Sequence, residues 1–562
     1  MKRIFVLTLL LSSTLYPVEF MPVSEIKPGM KGKGKTVFIG TEVSEFDVEI
    51  LGVMENYFPK RDIILAKLSG GPLKKTGVIS GMSGSPVYIN GKLIGAISYR
   101  FGSFQKEPMA GITPISEMLD IIEEEGTEKP MNYGNRPLKF IETPLMISGF
   151  EEEVFNTIAA DFEKFGFLPV SGGSVTKNDS ISVDLQPGSA VGVGLITGDA
   201  SISAIGTLTY IEGKKMLAFG HRFLHQGKVN LPLTTVYTHS VIPSSYSSFK
   251  MSSVMDVVGK VEADRITGIS GELDALPELI PFSLKINEEE YDYKVAKNKF
   301  LTSSLIGYAT GSAIYSLLKL YGDFTIVSDL TVFIKGEKSL HLKNFFSSDV
   351  ALFQTQNSIV RPISRLLNNE FKEANIEKVI LRLSATEEKA TASIENVKLN
   401  KDRFNPGDTI NIKLFLKSDR NELDEKSISW KIPEGIKYDQ LKIIISSGDS
   451  LTLLEQKHFP HRFKPRNFEH LLEILQDQGA NNEIGIEIIA KGEGISIDGY
   501  DLPSLPPSFQ KILKSTRLTG RINTTQVCSI FRKRIETEYS ISGSHTLDVT
   551  VKQKKKLKKE SK

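Results

Sequence analysis

The sequence predicts a mainly β protein with few helices, arranged as a small barrel, a second β-rich domain and a β-sandwich. Short apolar runs alternate with polar residues along most of the chain, and glycine and proline turns separate them. The 562 residues exceed what one hydrophobic core holds, so several domains are expected. The 69 basic and 67 acidic residues nearly cancel, so the composition does not indicate a nucleic-acid partner.

The two ends of the chain carry their own signals. Residues 1–20 combine two basic residues, an apolar run and Pro17, which predicts a signal peptide and an extracytoplasmic protein, either periplasmic or secreted. An uncleaved anchor is the alternative, because no small-x-small cleavage site is evident. Residues 551–562 (VKQKKKLKKESK) predict a solvated basic tail or, alternatively, a contact with an anionic envelope surface. The single cysteine, Cys528, excludes an intramolecular disulfide.

Residues 21–125 predict a small antiparallel barrel with a terminal helix. The segment FDVEILGVM (46–54) alternates apolar and acidic side chains, which is typical of a strand with one face in a core. The pair Asn90-Gly91 between two apolar runs is a strong hairpin signal. The segment PISEMLDIIEEE (114–125) has apolar residues at helical spacing, and a polar linker follows it.

Residues 138–345 predict a second β-rich domain. In GDASISAIGTLTYIEGKKMLAFGHRFL (198–224), two apolar runs flank a short turn, so a hairpin is expected to deliver His221 at the end of its second strand. The uncharged run LTSSLIGYATGSAIYSLL (301–318) is rich in Ser, Thr and Gly, which favours a buried helix over a membrane span. A connector over residues 346–390 is expected to follow.

Residues 391–550 predict a sandwich that resembles the immunoglobulin-like fold. A Pro-Gly-Asp turn at 406–408 precedes alternating apolar residues from Ile410 to Leu416, as in the opening strands of such a sandwich. The segment NFEHLLEILQDQ (467–478) predicts a helical insert. We find no catalytic constellation in this part of the sequence, so we expect it to position a substrate or partner.

The stretch GMSGSP (81–86) has the composition of a nucleophile turn. Its glycines allow unusual backbone dihedrals around Ser83, and the amides of Gly81 and Ser83 could form an oxyanion hole. Ser85 lies in the same turn and is the alternative nucleophile. A serine hydroxyl needs a base to accept its proton.

The segment GMSGSPVYINGKLIGAISY resembles the nucleophile segment of trypsin-like serine peptidases, where a hairpin borders the substrate pocket. A closer resemblance is to the SpoIVB-type serine peptidase family. Its nucleophile turn resembles TGVISGMSGSPVYINGKLIGA (76–96), and its histidine motif resembles IGTLTYIEGKKMLAFGHRF (205–223). The resemblance covers roughly residues 22–340. It implies Ser83 as nucleophile and His221 as base.

The resemblance also implies a trypsin-like pair of β-barrels, with no metal or organic cofactor. In the sporulation peptidase the histidine block precedes the serine block, so the reverse order here predicts barrels in permuted order. The strand after the hairpin would place Ser98, Tyr99 and Arg100 along the substrate cleft.

The triad acid is the part of the motif that this sequence does not supply in the expected place. Ser69 stands about where the family has its aspartate. Asp264 is the predicted acid and Asp199 the alternative, because both lie in glycine-rich segments of the histidine block; Asp62 is a further substitute by residue type.

The predicted function is therefore an extracytoplasmic serine endopeptidase that cleaves a protein or peptide substrate through an acyl-enzyme. A catalytically inactive peptidase-like binding or scaffold protein of the cell envelope is one alternative, and a structural envelope component is another. A metal site is not predicted, because His458, His461 and His470 have no matching acidic or sulfur cluster.

Overall fold

The computed structural model describes residues 18–102, 106–123, 138–173, 183–317, 322–497, 500–502, 508–509, 513 and 522–552. Most of the predicted signal peptide and basic tail, and the predicted polar linker, lie outside these ranges. The chain divides into two compact units: the first comprises residues 1–278 and 296–298, and the second comprises residues 279–295 and 299–562. Among the described residues, no helix is both long and apolar enough to cross a membrane.

The first unit begins with a closed barrel. After a 3-10 turn at Val23–Glu25, its elements are β1 (Lys31–Val37), β2 (Val43–Phe58), β3 (Arg61–Ser69), α1 (Leu73–Thr76), β4 (Pro86–Ile89), β5 (Lys92–Phe101), β6 (Met109–Pro114), α2 (Ile115–Glu123) and β7 (Leu138–Phe140). The strands pair in the order β4-β1-β2-β3-β6-β5, and a β4–β5 pairing closes the ring. Strand β7 pairs with β5 outside this ring.

The predicted hairpin in this barrel is confirmed. Strand β4 ends and β5 begins around Asn90 and Gly91, whose φ angles are 50° and 80°. Positive φ at both positions is what a two-residue hairpin turn requires, and glycine and asparagine tolerate it best. The turn therefore fixes the register of the strand that follows the serine motif.

A second ring of strands follows in the same unit. Its elements are β8 (Thr143–Ser148), α3 (Glu152–Glu163), β9 (Phe167–Ser171), β10 (Ala190–Gly198), β11 (Ser201–Glu212), β12 (Lys215–Ala218), β13 (Gly227–Ile242), β14 (Phe249–Arg265) and β15 (Gly268–Leu273). The pairings run β10-β13-β14-β15-β12-β11 and return to β10. The β11–β12 hairpin is the one predicted to carry His221, which lies in the loop that follows β12.

The second unit opens with a mixed α/β region. Its elements are β16 (Leu279–Ile286), β17 (Glu289–Ala296), α4 (Thr302–Leu317), β18 (Phe324–Ile334), β19 (Leu340–Ser348), α5 (Ala351–Leu367) and β20 (Ile376–Thr386). Strand β18 pairs antiparallel with β19 and β20, and β16 pairs in parallel with β20. Helix α4 is the predicted buried helix. The segment 346–390, predicted as a connector, forms α5 and β20.

The remainder of the second unit is a β-sandwich with helical insertions. Its elements are β21 (Thr391–Leu399), β22 (Arg403–Phe404), β23 (Thr409–Ser418), β24 (Leu423–Lys431), β25 (Gln440–Ser447), α6 (Gly448–His458), a 3-10 turn (Pro460–Phe463), α7 (Phe468–Gln476), β26 (Glu483–Ile497), β27 (Tyr500–Leu502), β28 (Ile522–Glu536), β29 (Ser540–Ser542) and β30 (Ser544–Val551). One sheet has the order β24-β23-β21-β29, and the other has β22-β30-β25-β26-β27 with β28 on β26.

The sandwich core follows the alternation seen in the sequence. Ile410, Ile412 and Leu414 on β23 are 0% exposed and share one core with Ile443 and Ile486 of the other sheet. Burying one face of each sheet against the other is what holds such a fold together. The mainly β architecture of barrels followed by a sandwich is thus confirmed.

Candidate active site

The stretch 81–86 forms a tight turn that leads into β4. Gly81 and Gly84 have φ angles of 96° and 93°, so both lie in the region that only glycine adopts without strain. The Ser85 amide donates a hydrogen bond to the Met82 carbonyl within the turn, and the Met82 amide donates to the Ile79 carbonyl just before it. The Gly84 amide donates to β5. No described group accepts a hydrogen bond from the amides of Gly81 and Ser83. These are the two amides predicted to form an oxyanion hole.

The carbonyl groups of the turn are fixed by strand β11. The Thr207 amide donates to the Ser83 carbonyl at 2.8 Å, and the Thr207 hydroxyl donates to the Gly81 carbonyl at 2.9 Å. The Thr209 hydroxyl donates to the Gly84 carbonyl at 2.7 Å. Because three carbonyls point at β11, the peptide planes are held from the side of the second barrel. This prior fixation is what a hole for a developing oxyanion needs.

His221 lies in a loop of unusual backbone geometry after β12. Phe219 and Gly220 have φ angles of 69° and 66°, and the Gly220 carbonyl accepts a hydrogen bond from the Thr113 hydroxyl at 2.8 Å. The imidazole ring has its centroid 5.3 Å from that of Phe140 and 6.2 Å from that of Phe219. His221 is therefore held by the first barrel as well as by its own loop.

The hydrogen bond of the His221 ring defines its tautomer. Nδ1 lies 2.7 Å from the Arg222 carbonyl oxygen, which can only accept, so Nδ1 carries the proton and Nε2 keeps its lone pair. Burial lowers the pKa of His221 to about 4, although the hydrogen bond to Arg222 opposes that shift. The ring is consequently neutral near pH 7, with the free lone pair that a general base requires.

Ser83 and His221 belong to one buried neighbourhood. Gly84, directly after the serine, packs so closely on Thr207 and Phe219 that a Cβ atom there would overlap the Thr207 carbonyl oxygen. Ser83 Oγ and His221 Nε2 are both buried and form no described hydrogen bond, including with each other. Ser85 Oγ is also without a described partner. Unsatisfied buried polar atoms are rare in native proteins and often mark a functional site.

Asp264, the predicted acid, binds the loop after His221 rather than the ring. Its wholly buried carboxylate accepts hydrogen bonds from the amides of Phe223, Leu224 and Gln226 at 2.8, 2.7 and 3.1 Å. Burial raises the pKa of Asp264, and the three amides oppose that rise. The Arg222 carbonyl occupies the position at Nδ1 where the acid was expected. Asp264 thus orders the loop but does not contact the imidazole.

Of the two other carboxylates considered as acids, one lies in a turn and the other lies at the start of β3. Asp199 is exposed between β10 and β11. Asp62 accepts a hydrogen bond from the Asn56 amide at 2.8 Å, which stabilises the β2–β3 hairpin. Among the described residues, no carboxylate makes a hydrogen bond to His221.

The residues predicted to border the substrate cleft lie beside the serine turn but are buried. Ser98, Tyr99 and Arg100 are 0%, 5% and 8% exposed. The Tyr99 ring stacks on Phe140 with centroids 4.8 Å apart, and the Arg100 guanidinium is 3.0 Å from the Glu142 carboxylate. In this structure β7 lies along the strand and covers these residues. Their assignment to a substrate cleft stays a prediction.

Lys250 is a site residue that sequence reasoning missed. It is 0% exposed, its aliphatic stem lies under Gly81, and its Nζ donates to the hydroxyls of Thr36 at 2.9 Å and Thr207 at 3.4 Å. Its amide also donates to the Ser80 carbonyl, so it supports the turn at two points. Burial lowers the pKa of Lys250 to about 7. A lysine in the pattern SFKM is ordinarily expected at the surface.

The first unit thus contains two six-stranded rings, one with the serine turn and the other with the histidine loop. Residues 12–119 match the model of the family described as SpoIVB peptidase S55. This match confirms the resemblance predicted from the motifs, for the part of the chain that contains Ser83. It ends before His221. No curated protein and no solved structure significantly matches the chain.

Because the serine turn packs closely against Thr207 at Gly84, we expect Gly84→Ala to destabilise the protein strongly. The positive φ and the overlap with the Thr207 carbonyl should together lower the free energy of unfolding by roughly 3 kcal/mol or more. Gly91→Ala is the matched control, since Gly91 also has a positive φ but no atom within 4 Å of where its Cβ would lie, and should cost about 1 kcal/mol. Urea unfolding of both variants measures the difference, and equal losses would contradict this packing.

The lowered pKa of Lys250 predicts a pH-dependent stability. Between about pH 7 and 10.5 the unfolded chain holds a proton on Lys250 that the folded chain has released, so stability from this group rises with pH. Lys250→Met removes this contribution. Its free energy of unfolding relative to wild type should therefore fall by on the order of 1 kcal/mol per pH unit from pH 7.5 to 9. The control is the exposed Lys27→Met variant, whose free energy of unfolding should keep a constant difference from wild type over this pH range. A constant difference for Lys250→Met as well would contradict the lowered pKa of Lys250.

Proposed function

We propose that this chain is an extracytoplasmic serine endopeptidase that cleaves a protein or peptide through an acyl-enzyme at Ser83. The observation that carries the proposal is the serine turn, whose carbonyls are held by Thr207 and Thr209 while the amides of Gly81 and Ser83 have no described acceptor. A turn fixed in this way can stabilise the oxyanion of a tetrahedral intermediate.

In the proposed mechanism, His221 Nε2 accepts the Ser83 proton as the hydroxyl attacks the substrate carbonyl. The amides of Gly81 and Ser83 then bind the oxyanion, and His221 returns the proton to the leaving amine. Water, activated by the same imidazole, hydrolyses the acyl-enzyme. For Nε2 to receive the proton, Ser83 and His221 must approach to hydrogen-bond distance, a step that many peptidases complete only when substrate binds.

The carbonyl of Arg222 takes over one task of the missing acid. It fixes the Nδ1–H tautomer of His221, as a carboxylate would. It carries only a dipole, so it stabilises the imidazolium less than a carboxylate does. We therefore expect turnover that is slower than in a peptidase with a complete triad.

The chain ends and the sandwich support a proposal for the location and the partners of the enzyme. The signal-like residues 1–20 support export. The basic tail, residues 551–562, is suited to an anionic envelope surface. The sandwich is proposed to position a substrate or partner.

An inactive peptidase-like binding or scaffold protein of the envelope is the second candidate function. Two observations favour it: no described carboxylate contacts His221, and Ser83 is 0% exposed. A fold can retain its scaffold after the loss of its activity.

Labelling with a fluorophosphonate separates the two candidates. The wild-type chain should be labelled on one serine, Ser85→Ala should retain the labelling, and Ser83→Ala and His221→Ala should lose it by at least about a hundredfold, because nucleophile and base act as a unit. Mass spectrometry of the labelled peptide identifies the serine. Labelling that persists in Ser83→Ala would indicate that Ser85 is the nucleophile. A wild-type protein that is not labelled would support the second candidate function, an inactive binding or scaffold protein.

The buried His221 predicts an unusual pH profile. Because burial lowers its pKa to about 4, the base stays unprotonated well below the ordinary histidine range, and the labelling rate should not fall between pH 7 and pH 5.5. The rate of phosphonylation, with circular dichroism to verify folding, measures this. The same pH series is repeated with Lys250→Met, which lacks the buried amine beside the serine turn. A tenfold loss of rate across that interval in both proteins would show that His221 titrates like an exposed histidine.

A further inference from the structure

Strand β5 has an edge that the barrel does not use. Its first half, up to Ala96, pairs with β4, and this pairing already closes the ring. Beyond it, Ile97 exchanges hydrogen bonds with the serine turn, through the Gly84 amide at 2.8 Å and the Ser85 carbonyl at 2.9 Å. The pairing of β5 with β6 also shifts its register between Ile97 and Tyr99. The remaining edge therefore begins directly at the serine turn.

A short strand of the chain itself occupies this edge. Strand β7 pairs antiparallel with the end of β5, in the register Tyr99 to Phe140 and Arg100 to Lys139. The Ile141 amide continues the ladder with a hydrogen bond of 3.0 Å to the Ser98 carbonyl. Extended peptides commonly bind proteins by adding a strand to an open sheet edge. The segment 138–141 is bound here in that manner.

The side chains of this segment occupy three distinct surroundings. The Phe140 ring covers His221, with centroids 5.3 Å apart. Ile141 is 1% exposed and lies in the core cluster that contains Met82, the residue before Ser83. The Glu142 carboxylate lies 3.0 Å from the Arg100 guanidinium. Consecutive residues thus contact the candidate base, the apolar surroundings of the serine turn and a buried cation.

The position of the segment also explains why His221 is shielded from solvent. His221 is 2% exposed, and Phe140 packs directly against its ring. No separate substrate can contact that face of the imidazole while Phe140 is in place. A tethered segment competes with free peptides at an effective concentration in the millimolar range, so it excludes weak ligands efficiently.

We propose that residues 138–142 (LKFIE) are an intramolecular pseudosubstrate, and that displacement of this strand opens the groove to an extended peptide of the same chemistry. The preferred ligand has an aromatic residue over His221, then an aliphatic residue beside Met82, then a carboxylate on Arg100. This inference rests on the proposed function for its catalytic meaning, but the occupied groove can be tested by binding alone.

The register suggests a variant that loosens the strand with little other change. The Ile141 bond to Ser98 makes Arg100 and Lys139 a hydrogen-bonded pair, so the Lys139 amide faces β5. The Lys139 side chain is exposed. Lys139→Pro removes the amide proton, whereas Lys139→Ala keeps it and is the matched control. Phe140→Ala uncovers the imidazole independently, and Phe38→Ala, also a half-buried phenylalanine, is its control.

The first readout is the rate at which a fluorophosphonate labels the full-length protein. Lys139→Pro and Phe140→Ala should be labelled at least tenfold faster than wild type, while Lys139→Ala and Phe38→Ala should match it. Circular dichroism verifies that each variant is folded. If both loosened variants are folded and labelled at the wild-type rate, the pseudosubstrate assignment is overturned.

The second readout needs no catalysis. A fluorescent peptide RPLKFIETP, residues 136–144 of the chain, should bind Lys139→Pro/Ser83→Ala at least tenfold more tightly than Ser83→Ala, as measured by anisotropy. Replacing its phenylalanine by alanine or its glutamate by glutamine should each weaken binding about fivefold. Equal binding to both proteins would overturn the inference. If the peptide binds as expected and no variant is labelled, the peptidase proposal fails and the occupied groove stands.

Discussion

The candidate site depends on the hydrogen bonds between the serine turn and strand β11. Thr207 binds the Ser83 carbonyl through its amide and the Gly81 carbonyl through its hydroxyl, and Thr209 binds the Gly84 carbonyl. These bonds join the two barrels of the first unit at the point where chemistry would occur. They also hold the turn in one orientation, so its two unbound amides are fixed before any substrate arrives. Gly84 is needed because a larger residue would prevent this approach.

The electrostatics of the site are set by burial rather than by ion pairs. His221 is neutral because it is buried, and a backbone carbonyl fixes its tautomer. Lys250 is buried among hydroxyl groups beneath the turn, and burial brings its pKa to about 7. Asp264 is bound by three amides and orders the loop that carries His221. For each of these three groups, burial disfavours the charged form.

The sequence was most informative where structure is set by neighbouring residues. The glycines around Ser83, the Asn90-Gly91 hairpin and the alternating residues of β23 all form what local patterns predict. Contacts between distant residues could not be predicted in the same way. Thr207 meets Gly81 across 126 positions, and nothing in either segment encodes that pairing. Similarly, Asp264 has the residue type of an acid, but its three amide donors are visible only in the folded loop.

The proposed mechanism requires Ser83 to form a covalent acyl intermediate, and trapping that intermediate tests it most directly. The protein would be mixed with an activated nitrophenyl ester, quenched in acid within its first turnover and analysed by peptide mass spectrometry. The mechanism predicts a single acyl group on the peptide containing Ser83, located on that residue by fragmentation, and its absence in His221→Ala. An acyl group on another residue, or none above the level of the acid-denatured protein, would contradict it.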